Sequence, residues 1–461
     1  MSVPPYFQTS AIYCGDCRDV LRKFPEESID LVYADPPFFS NRSYEILWGD
    51  GYELRAFEDR WKGGVENYVA WMKERLVECY RVLKPTGSIY LHCDWHASHH
   101  LKVEMDKIFL ESNFRNEIIW KRTSAHTGEG RVTKFGTVHD SILFYTKSND
   151  YVFNPQYTSY DEKYTDKFYA NVEPDGRRWT SSDLMAAGVR KGESGKVWRG
   201  IDPNTRGNHW KFTVTKLDEL DKEGRIYWPK KAGGVPRYKR YLDEMKGLLL
   251  QDVWTDINPL QAHSRERQGY PTQKPELLLE RIINASSNPA QIVLDPFCGC
   301  GTAIVVAHKL GRKWVGIDVS PTACNLMEKR MRSLGAENTV MGMPMTEDDL
   351  RKISPTEFQN WVIRRLFGRV STRIVGDMGI DGYTFEGYPV QVKQSDDIGR
   401  NVIDNFQTAM RRYKAKKGII VAFSFGKGAY EEVARAKLHE GLEIDAVTVA
   451  DLLKNGREKS P

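Results

Sequence analysis

A short apolar segment that ends in an aspartate and two prolines constrains the fold of this chain more than any other feature. Residues 31–34 are Leu, Val, Tyr and Ala, a composition that predicts a buried parallel strand. Pro36 and Pro37 have fixed φ angles and no N–H donors, so they end the strand. Asp35 and Phe38 are therefore expected at the carboxyl end of a central strand, where open α/β sheets bind ligands. Taken alone, the tetrapeptide 35–38 (Asp-Pro-Pro-Phe) also fits a capped turn at the end of a strand.

A second strand-and-turn motif indicates a site for a nucleotide-like ligand. Residues 292–295 predict a strand, Gly299 and Gly301 follow in a turn, and an apolar helix comes next. This order presents backbone N–H groups and a positive helix end to a ligand. The full dinucleotide pattern is absent because Ile304 occupies the position of its third glycine. Asp318 ends the following predicted strand, where a carboxylate can accept hydrogen bonds from ribose hydroxyls.

The alternation of predicted strands and helices is typical of a doubly wound α/β sheet. The predicted helices are 20–24, 65–83, 97–110, 276–286 and 303–310, and the predicted strands include 87–93, 116–120, 138–145 and 313–317. The strand over 138–145 is expected to be antiparallel. From about residue 346 the pattern restarts, with helices at 355–367, 401–410 and 429–438 and strands at 373–375, 389–393 and 418–423. A second, smaller α/β domain is therefore predicted, and a length of 461 residues suits about three domains.

The segment between Lys121 and Lys274 carries the excess positive charge of the chain. It holds 27 Lys and Arg against 20 Asp and Glu, a net +7, so the remainder carries −2 of the total +5. Cations alternate with aromatic residues at 177–179, 198–200, 209–211 and 237–241. Cations suit phosphates and guanine edges, and aromatic rings stack on bases. The segment is therefore interpreted as a DNA-contacting region; the alternative is a basic insertion that only packs on the core.

Cysteine usage and the amino-terminal residues bear on compartment and metals. The seven cysteines are odd in number in a long chain, which does not indicate a disulfide framework. Cys14 and Cys17 lack a second matching pair and are interpreted as core residues rather than zinc ligands. The histidine-rich segment 92–100 is interpreted as a strand end beside the active cleft. The first ten residues lack a basic and an apolar leader region, so a cytoplasmic protein is expected.

In their order along the chain, these motifs resemble those of the β-class DNA amino-methyltransferases. The resemblance covers roughly residues 10–150 and 255–335 and includes Gly15-Asp16 and Thr272-Gln273-Lys274-Pro275. It implies a Rossmann-like, S-adenosylmethionine-dependent methyltransferase with an inserted target-recognition region. The implied domains are a catalytic half at 1–122, the target-recognition region at 123–270 and a cofactor-binding half at 271–345.

The resemblance also implies roles for single residues. The implied cofactor contacts are Asp16 near the adenine, Asp318 on the ribose, Thr272 and Lys274 near the methionine end, and Asp295, Phe297, Gly299 and Gly301 along the remainder. In the implied catalytic loop of Asp35, Pro36, Pro37 and Phe38, the aspartate and the Pro36 carbonyl accept hydrogen bonds from the target amino group and Phe38 stacks on the base. The base must be flipped out of the duplex for this to happen. Asp rather than Ser before Pro-Pro favours N6 of adenine over N4 of cytosine.

The carboxyl-terminal region, 346–461, resembles the catalytic domain of Mrr-type restriction endonucleases across about residues 354–455. The resemblance implies that Asp381 binds Mg²⁺, that Gln391 offers an amide oxygen and that Lys393 activates water or steadies the developing charge. Glu357 is expected to add a ligand from the first helix of the domain. The alternative is an inactive nuclease fold kept for DNA binding, with Asp381 capping a turn.

Several functions fit these expectations. The first is an adenine methyltransferase acting on double-stranded DNA and joined to a nuclease, so that one chain both modifies and restricts DNA. The second is an N4-cytosine methyltransferase whose last domain only holds DNA. A regulatory DNA-binding protein with two vestigial sites, and a methyltransferase acting on RNA or a protein amide, are further alternatives. Because β-class relatives are often dimers, a homodimer is expected.

Overall fold

The computed structural model describes residues 6–39, 43–47, 53–58, 64–123, 135–230, 234–260, 264, 266, 273–366, 368–370, 379–384 and 386–455. The chain divides into two compact units, one made of Met1–Asn154 and Gln251–Pro461 and the other of Pro155–Leu250. Across the described ranges, no helix is both long and apolar enough to cross a membrane.

The elements are numbered here in chain order. The strands are β1 (Ala11–Cys14), β2 (Ile29–Ala34), β3 (Ser43–Leu47), β4 (Glu53–Glu58), β5 (Leu83–Cys93), β6 (Phe114–Lys121), β7 (His139–Thr146), β8 (Tyr157–Thr158), β9 (Asn171–Val172), β10 (Arg178–Asp183), β11 (Met185–Ala187), β12 (Asn208–Trp210), β13 (Ile226–Tyr227), β14 (Arg237–Tyr241), β15 (Leu248–Leu249), β16 (Val253–Trp254), β17 (Ile292–Asp295), β18 (Lys313–Asp318), β19 (Thr339–Met341), β20 (Gly368–Val370), β21 (Gly382–Thr384), β22 (Pro389–Val392), β23 (Lys417–Ala422) and β24 (Glu443–Thr448). The α-helices are α1 (Cys17–Leu21), α2 (Gly64–Val82), α3 (Ser98–Phe109), α4 (Glu162–Phe168), α5 (Val214–Lys222), α6 (Glu276–Ser286), α7 (Thr302–Lys309), α8 (Pro321–Ser333), α9 (Glu347–Lys352), α10 (Pro355–Arg365), α11 (Arg400–Tyr413), α12 (Lys427–Glu440) and α13 (Val449–Asn455). Short 3₁₀ helices lie at Glu111–Asn113, Glu193–Gly195, Pro203–Arg206 and Leu242–Glu244.

A nine-stranded sheet forms the centre of the first unit, in the order β16-β6-β7-β5-β2-β17-β18-β1-β19. Neighbouring strands from β5 to β19 are parallel, while β7 pairs antiparallel with both β5 and β6. The predicted doubly wound α/β class is therefore confirmed, including the antiparallel strand over 138–145. The connections between the parallel strands are mainly helical, as this kind of sheet requires.

The strand β2 lies at the centre of this sheet, as its apolar sequence predicts. All six of its residues are buried, which is typical of a strand covered on both faces. Its one charged member, Asp30, is held by Lys84 Nζ at 2.8 Å and by the backbone N–H of Ile292 at 2.8 Å. These bonds satisfy the buried carboxylate and tie the start of β2 to its neighbour β17.

Two element boundaries differ from the sequence prediction for local reasons. The helix α1 begins at Cys17 rather than at residue 20, because the Asp16 side chain accepts a hydrogen bond from Arg18 N and caps the helix. The strand β5 begins at Leu83 rather than at 87 and continues through Pro85. Pairing with β2 already begins at Leu83, so tertiary contact extends the strand beyond its local propensity.

The unit formed by residues 155–250 is built around a small antiparallel sheet of order β13-β14-β10-β9. Trp198 and Trp210 are in its core and are 2% and 0% exposed, and Trp179 is 7% exposed. The Arg177 guanidinium contacts both carboxylate oxygens of Asp243 at 2.9 and 3.0 Å. The buried tryptophans therefore stabilise this unit, while the interpretation of the basic residues around them as DNA contacts stays a prediction.

The carboxyl-terminal part of the first unit contains a five-stranded sheet of order β20-β21-β22-β23-β24. Its last three strands are parallel, and the pairings with β20 and β21 are antiparallel. The predicted second α/β architecture is confirmed, although the sequence did not predict β24 and α13. The predicted strand over 373–375 falls outside the described residues.

Candidate active site

Four carboxylates follow four neighbouring parallel strands at one edge of the large sheet. Asp16 follows β1, and Asp318, Asp295 and Asp35 end or follow β18, β17 and β2, which stand in that order. Because parallel strands all end at the same edge, the four side chains converge on one cavity of about 1150 Å³. The structure thus brings together two sequence motifs that are 260 residues apart, Asp35 and Asp295.

The glycine turn between β17 and α7 shapes one side of this cavity. Gly299 and Gly301 have φ angles of 52° and 83°, a left-handed conformation that glycine adopts most readily. The Gly299 N–H donates to Asp318 Oδ2 at 2.7 Å, and the Phe297 N–H donates to Asp295 Oδ1 at 3.1 Å. These bonds hold the turn against two carboxylates.

Burial controls the protonation of these two carboxylates. Burial raises the pKa of Asp295 well above its usual range, against the bond from Phe297 N–H, and the nearby charge of Asp35 adds to the rise. Burial also raises the pKa of Asp318, to about 6, although hydrogen bonds from the Ser320 and Gly299 N–H groups act in the opposite direction. The charge of the Asp318 carboxylate is therefore expected to change near pH 6.

An aromatic and a cation from α2 complete the wall on the β1 side. Arg75 donates to Asp16 Oδ2, and its guanidinium stacks on the Trp71 ring at 3.7 Å. Trp71 in turn lies 5.9 Å from the Phe297 ring, and all these residues line the cavity. Trp71 and Arg75 were not predicted from the sequence. Their signal was the helical spacing of the buried residues of α2, which leaves positions 71 and 75 on an adjoining face.

Lys274 neutralises the carboxylate of the Asp-Pro-Pro-Phe loop. Its Nζ contacts the two oxygens of Asp35 at 2.8 and 2.7 Å and lies 4.8 Å from the centre of the Phe38 ring. Lys274 is 8% exposed, so this ion pair is shielded from water. The resemblance implies a place for Lys274 near the methionine end of the cofactor, which stays a prediction; the structure pairs Lys274 with Asp35. Thr272 lies outside the described residues.

The loop itself is held by the prolines and by an aromatic residue of α2. The Tyr68 hydroxyl donates to the Pro37 carbonyl at 2.6 Å, and the Pro36 side chain is buried. Phe39 has a φ of 61°, an unusual conformation for a residue with a side chain, and packs 5.7 Å from the Tyr68 ring. Such local strain persists only where surrounding contacts overcome it, as at many active-site loops.

A chain of buried polar side chains lies beneath Phe38. The Tyr33 hydroxyl is 2.9 Å from His92 Nδ1, and His92 Nε2 is 3.2 Å from Asp140 Oδ2. Burial raises the pKa of Tyr33 well above its usual range, so the hydroxyl stays protonated and donates to Nδ1, while Nε2–H donates to Asp140. The His92 ring is 5.5 Å from Phe38. The histidine-rich segment thus contributes a support for the loop.

The residues predicted for nuclease chemistry lie on the five-stranded sheet, with one exception. Asp381 precedes β21 and its Oδ2 accepts a hydrogen bond from Val392 N at 2.7 Å, which places it beside β22. Gln391, on β22, is 3% exposed, and its Oε1 is buried without a hydrogen-bond partner among the described residues. Lys393 follows the same strand, two positions from Gln391, and therefore on the same face.

Glu357 is the exception, and its assignment to the nuclease site is corrected. Its two oxygens accept hydrogen bonds from Ser320 Oγ at 2.6 Å and Thr322 Oγ1 at 3.0 Å, at the start of α8. It lines the cavity of the large sheet instead. The side chain of α10 that reaches Asp381 is Gln359, whose Nε2 donates to the Asp381 carbonyl at 2.8 Å. Within the described part of the chain, no three His, Cys, Asp or Glu side chains form a metal-binding group.

Comparison with known proteins gives two family matches on this chain. A DNA methylase family model, N6_N4_Mtase, matches residues 29–329, and a restriction endonuclease model, Mrr_cat, matches residues 350–454. The type II methyltransferase M.EcaI of Enterobacter cloacae is 34% identical over 305 residues, which are 65% of this chain and 64% of that protein. The chain thus spans slightly less than two thirds of this relative's length.

Two further proteins illustrate the range of the similarity. The DNA adenine methyltransferase YhdJ of Escherichia coli (strain K12) is 27% identical over 314 residues, which are 68% of this chain and 79% of that protein. The solved structure of the M1.HpyAVI–S-adenosylmethionine complex is 15% identical and has a TM-score of 0.35, covering 69% of this chain and 98% of the other. The family model covers more than half of the sequence and includes Asp35, Asp295 and Asp318. The chain therefore belongs to the N6/N4 DNA methylase family, and it carries a restriction endonuclease domain of the Mrr type after the methylase region.

Proposed function

We propose that this protein is a site-specific methyltransferase that moves a methyl group from S-adenosylmethionine to N6 of adenine in double-stranded DNA. The observation that carries the proposal is that the Asp35 loop and the glycine turn with Asp318 line the same cavity. Cofactor and target base can therefore meet in one place, as transfer between them requires. The domain boundaries expected from the sequence, 1–122, 123–270, 271–345 and 346–461, belong to this proposal.

The cavity fits an adenosine-like cofactor. Gly299 lines the cavity, and the next glycine of the turn, Gly301, leaves room for the core, since a Cβ there would lie 2.9 Å from Met327 Cγ. Asp16, Phe297 and Asp318 line the cavity. Asp318 would accept hydrogen bonds from the ribose, Asp16 would lie near the adenine, and Phe297 would give an apolar surface. S-adenosylmethionine, when bound, supplies a methyl group activated by a sulfonium.

The residues of the loop act on the amine that receives the methyl group. The lone pair of an exocyclic amine is delocalised into its ring, which makes the nitrogen a poor nucleophile. Asp35 and the Pro36 carbonyl accept hydrogen bonds from its two N–H groups and stabilise the positive charge that develops on it. Lys274 holds the Asp35 carboxylate in position from the other side, at 2.7 to 2.8 Å. Phe38, braced by His92, stacks on the flipped base.

Adenine is proposed as the target on two grounds. Asp35 precedes the two prolines, and in the family that the chain resembles an Asp rather than a Ser at this position favours adenine. One relative of 27% identity is a DNA adenine methyltransferase. Cytosine N4 is the alternative, because the same acceptors serve either amine. Recognition of the site in DNA is proposed for the basic region 123–270, which lies within the segment from Lys121 to Lys274 that carries the net +7.

Long-read modification sequencing of DNA from cells expressing the protein tests this function. Wild type is expected to yield one modified motif with N6-methyladenine, and Asp35→Ala is expected to yield none. Asp150→Ala, which changes an exposed carboxylate of a surface turn, is the matched control and is expected to resemble wild type. A motif that survives in Asp35→Ala, or no motif from well-expressed wild type, would contradict the proposal.

We also propose that the carboxyl-terminal domain cleaves DNA with Mg²⁺. The support is the buried, unpartnered Gln391 Oε1 on the strand next to Asp381, since an amide oxygen and a carboxylate suit a hard cation. Asp381 and Gln391 would hold the ion, which polarises the phosphate when bound, and Lys393 would stabilise the charge on it.

Cleavage of unmethylated plasmid carrying the motif tests the nuclease separately from the methylase. The expected result is Mg²⁺-dependent cutting by Asp35→Ala protein, lost on adding Asp381→Ala or Lys393→Ala. With Asp35 intact, the Asp381→Ala and Lys393→Ala proteins are expected to methylate DNA like wild type. Normal methylation would show that both variants are folded. If folded protein leaves unmethylated plasmid uncut in the presence of Mg²⁺, this second proposal is wrong.

A further inference from the structure

Residues of the restriction endonuclease region line the cavity assigned to the methyl donor. Lys352, Ser354, Thr356 and Glu357 stand on its wall together with Asp318. The first four lie inside the endonuclease match, 350–454, and beyond the end of the methylase match at residue 329. All of them are in the same compact unit of the chain. The cavity is therefore shared by two regions that belong to different families.

The contact between the two regions is a buried carboxylate with two hydroxyl donors. Glu357 is 8% exposed, and it accepts from Ser320 Oγ at 2.6 Å and from Thr322 Oγ1 at 3.0 Å. Burial raises the pKa of Glu357 to about 7 while the two hydroxyl donors act to lower it, and a buried carboxyl group without such donors is costly. The nuclease region is thus fixed to the start of α8 at a point beside the cofactor site.

The first turn of α10 is built to aim Glu357 at this point. Ser354 caps the helix by accepting from Glu357 N at 3.2 Å, and Pro355 occupies the first helical position. Phe358, which follows, is fully buried in the core of the carboxyl-terminal domain. The backbone that carries Glu357 is therefore held by both capping and packing.

Ser320 connects this contact to the carboxylate that faces the ribose. Its backbone N–H donates to Asp318 Oδ1 at 2.9 Å, and its hydroxyl accepts from Ala323 N at 3.0 Å while donating to Glu357. Asp318 Oδ2 is held by Gly299 N–H on the other side. A shift of Ser320 would therefore move Asp318, the residue on which the ribose hydroxyls are expected to bind.

We propose that residues 349–357 of the nuclease region form one wall of the S-adenosylmethionine site, with Glu357 as a positioning residue that acts on Asp318 through Ser320. This inference rests on the proposed methyl donor. It follows that donor binding and docking of α10 onto the methylase region are coupled. The donor stabilises the docked helix by a certain factor, and loss of the docking contact weakens donor binding by that same factor.

Binding of S-adenosylmethionine to the full chain, measured by calorimetry, tests the coupling. Glu357→Ala is expected to raise the dissociation constant by about tenfold, and Glu357→Gln, which keeps an oxygen acceptor, by less. The matched control is Glu431→Ala on α12, whose side chain is 66% exposed. In the methylation assay, Glu357→Ala is expected to raise KM for the donor at unchanged kcat, since the Asp35 loop is untouched.

Hydrogen exchange gives a second readout, which does not depend on methylation activity. The donor is expected to slow exchange of the backbone amides of α10, and Glu357→Ala is expected to lose that protection. Equal dissociation constants for wild type and Glu357→Ala, or wild-type protein that binds donor without any protection of α10, would overturn the proposal. Wild-type protein that binds no donor at all would instead overturn the proposed function.

Discussion

At the scale of single residues, the site depends on carboxylates whose neighbours decide what they can do. Asp35 is neutralised by Lys274, Asp318 is held by two backbone N–H groups, and Asp295 is buried at the end of β17. Three aspartates at one sheet edge thus have three different surroundings. Only Asp318 combines a pKa of about 6 with a place on the proposed ribose contact, so its charge is expected to control donor binding in the experimental pH range.

The affinity for S-adenosylmethionine is therefore expected to fall as the pH drops through about 6. The pKa of Asp318 is raised, so the carboxylate takes up a proton there and loses acceptor capacity for the ribose hydroxyls. Titration calorimetry at pH values from about 7.5 to 5 checks this for wild type and Asp318→Asn. The variant should bind more weakly at the upper end and show a flatter profile. Parallel profiles for the two proteins would contradict the assignment.

At the scale of elements, three neighbouring strands contribute one residue each to the chain beneath Phe38. Tyr33 is on β2, His92 on β5 and Asp140 on β7, and these strands are adjacent in the sheet. Burial acts to raise the pKa of Asp140, but the hydrogen bond from His92 and the nearby charges of Lys274 and Arg122 outweigh it, so the pKa is lowered. The carboxylate thus stabilises the folded state wherever it is ionised.

Asp140→Asn is expected to destabilise the protein by about 1 to 3 kcal/mol at pH 7, because Asn keeps the shape but not the charge. Since the folded-state pKa lies below the unfolded one, the wild-type advantage is present above about pH 4 and is lost as the pH falls through the lowered value. Urea unfolding of both proteins at pH 7 and at a series of pH values below about 4, followed by tryptophan fluorescence, measures it. A difference below about 0.5 kcal/mol at pH 7 would count against a structural role for the chain.

Elements with a local cause were predictable from the sequence, and contacts between distant elements were not. The strand before Asp35 and the turn at Gly299 follow from prolines, glycines and apolar runs, which act within a few residues. The pairing of Lys274 with Asp35 joins residues 239 apart in the chain, and nothing local signals it. Glu357 shows the same limit: its motif suits a nuclease helix, but tertiary packing directs the side chain to Ser320.

At the scale of the whole molecule, residues 155–250 form a unit whose first and last residues lie next to each other. The N–H of Leu250 donates to the carbonyl of Gln156 at 2.9 Å, and β8 pairs with β15 through Tyr157 and Leu249. The unit also has its own core around Trp198 and Trp210. A closed unit with paired ends can be removed without separating the residues that flank it, as loop insertions in domains generally allow.

Replacing residues 155–250 with a short Gly-Ser linker is therefore expected to leave a folded protein that binds S-adenosylmethionine like wild type. All cavity-lining residues lie before residue 80 or after residue 270, so the donor site is kept. Methylation of DNA is expected to be lost because part of the proposed target-recognition region is gone. Calorimetry with the donor and methylation of plasmid carrying the motif measure the two effects. Normal methylation by the shortened chain would show that this unit does not select the site, whereas loss of donor binding would show that it supports the cavity.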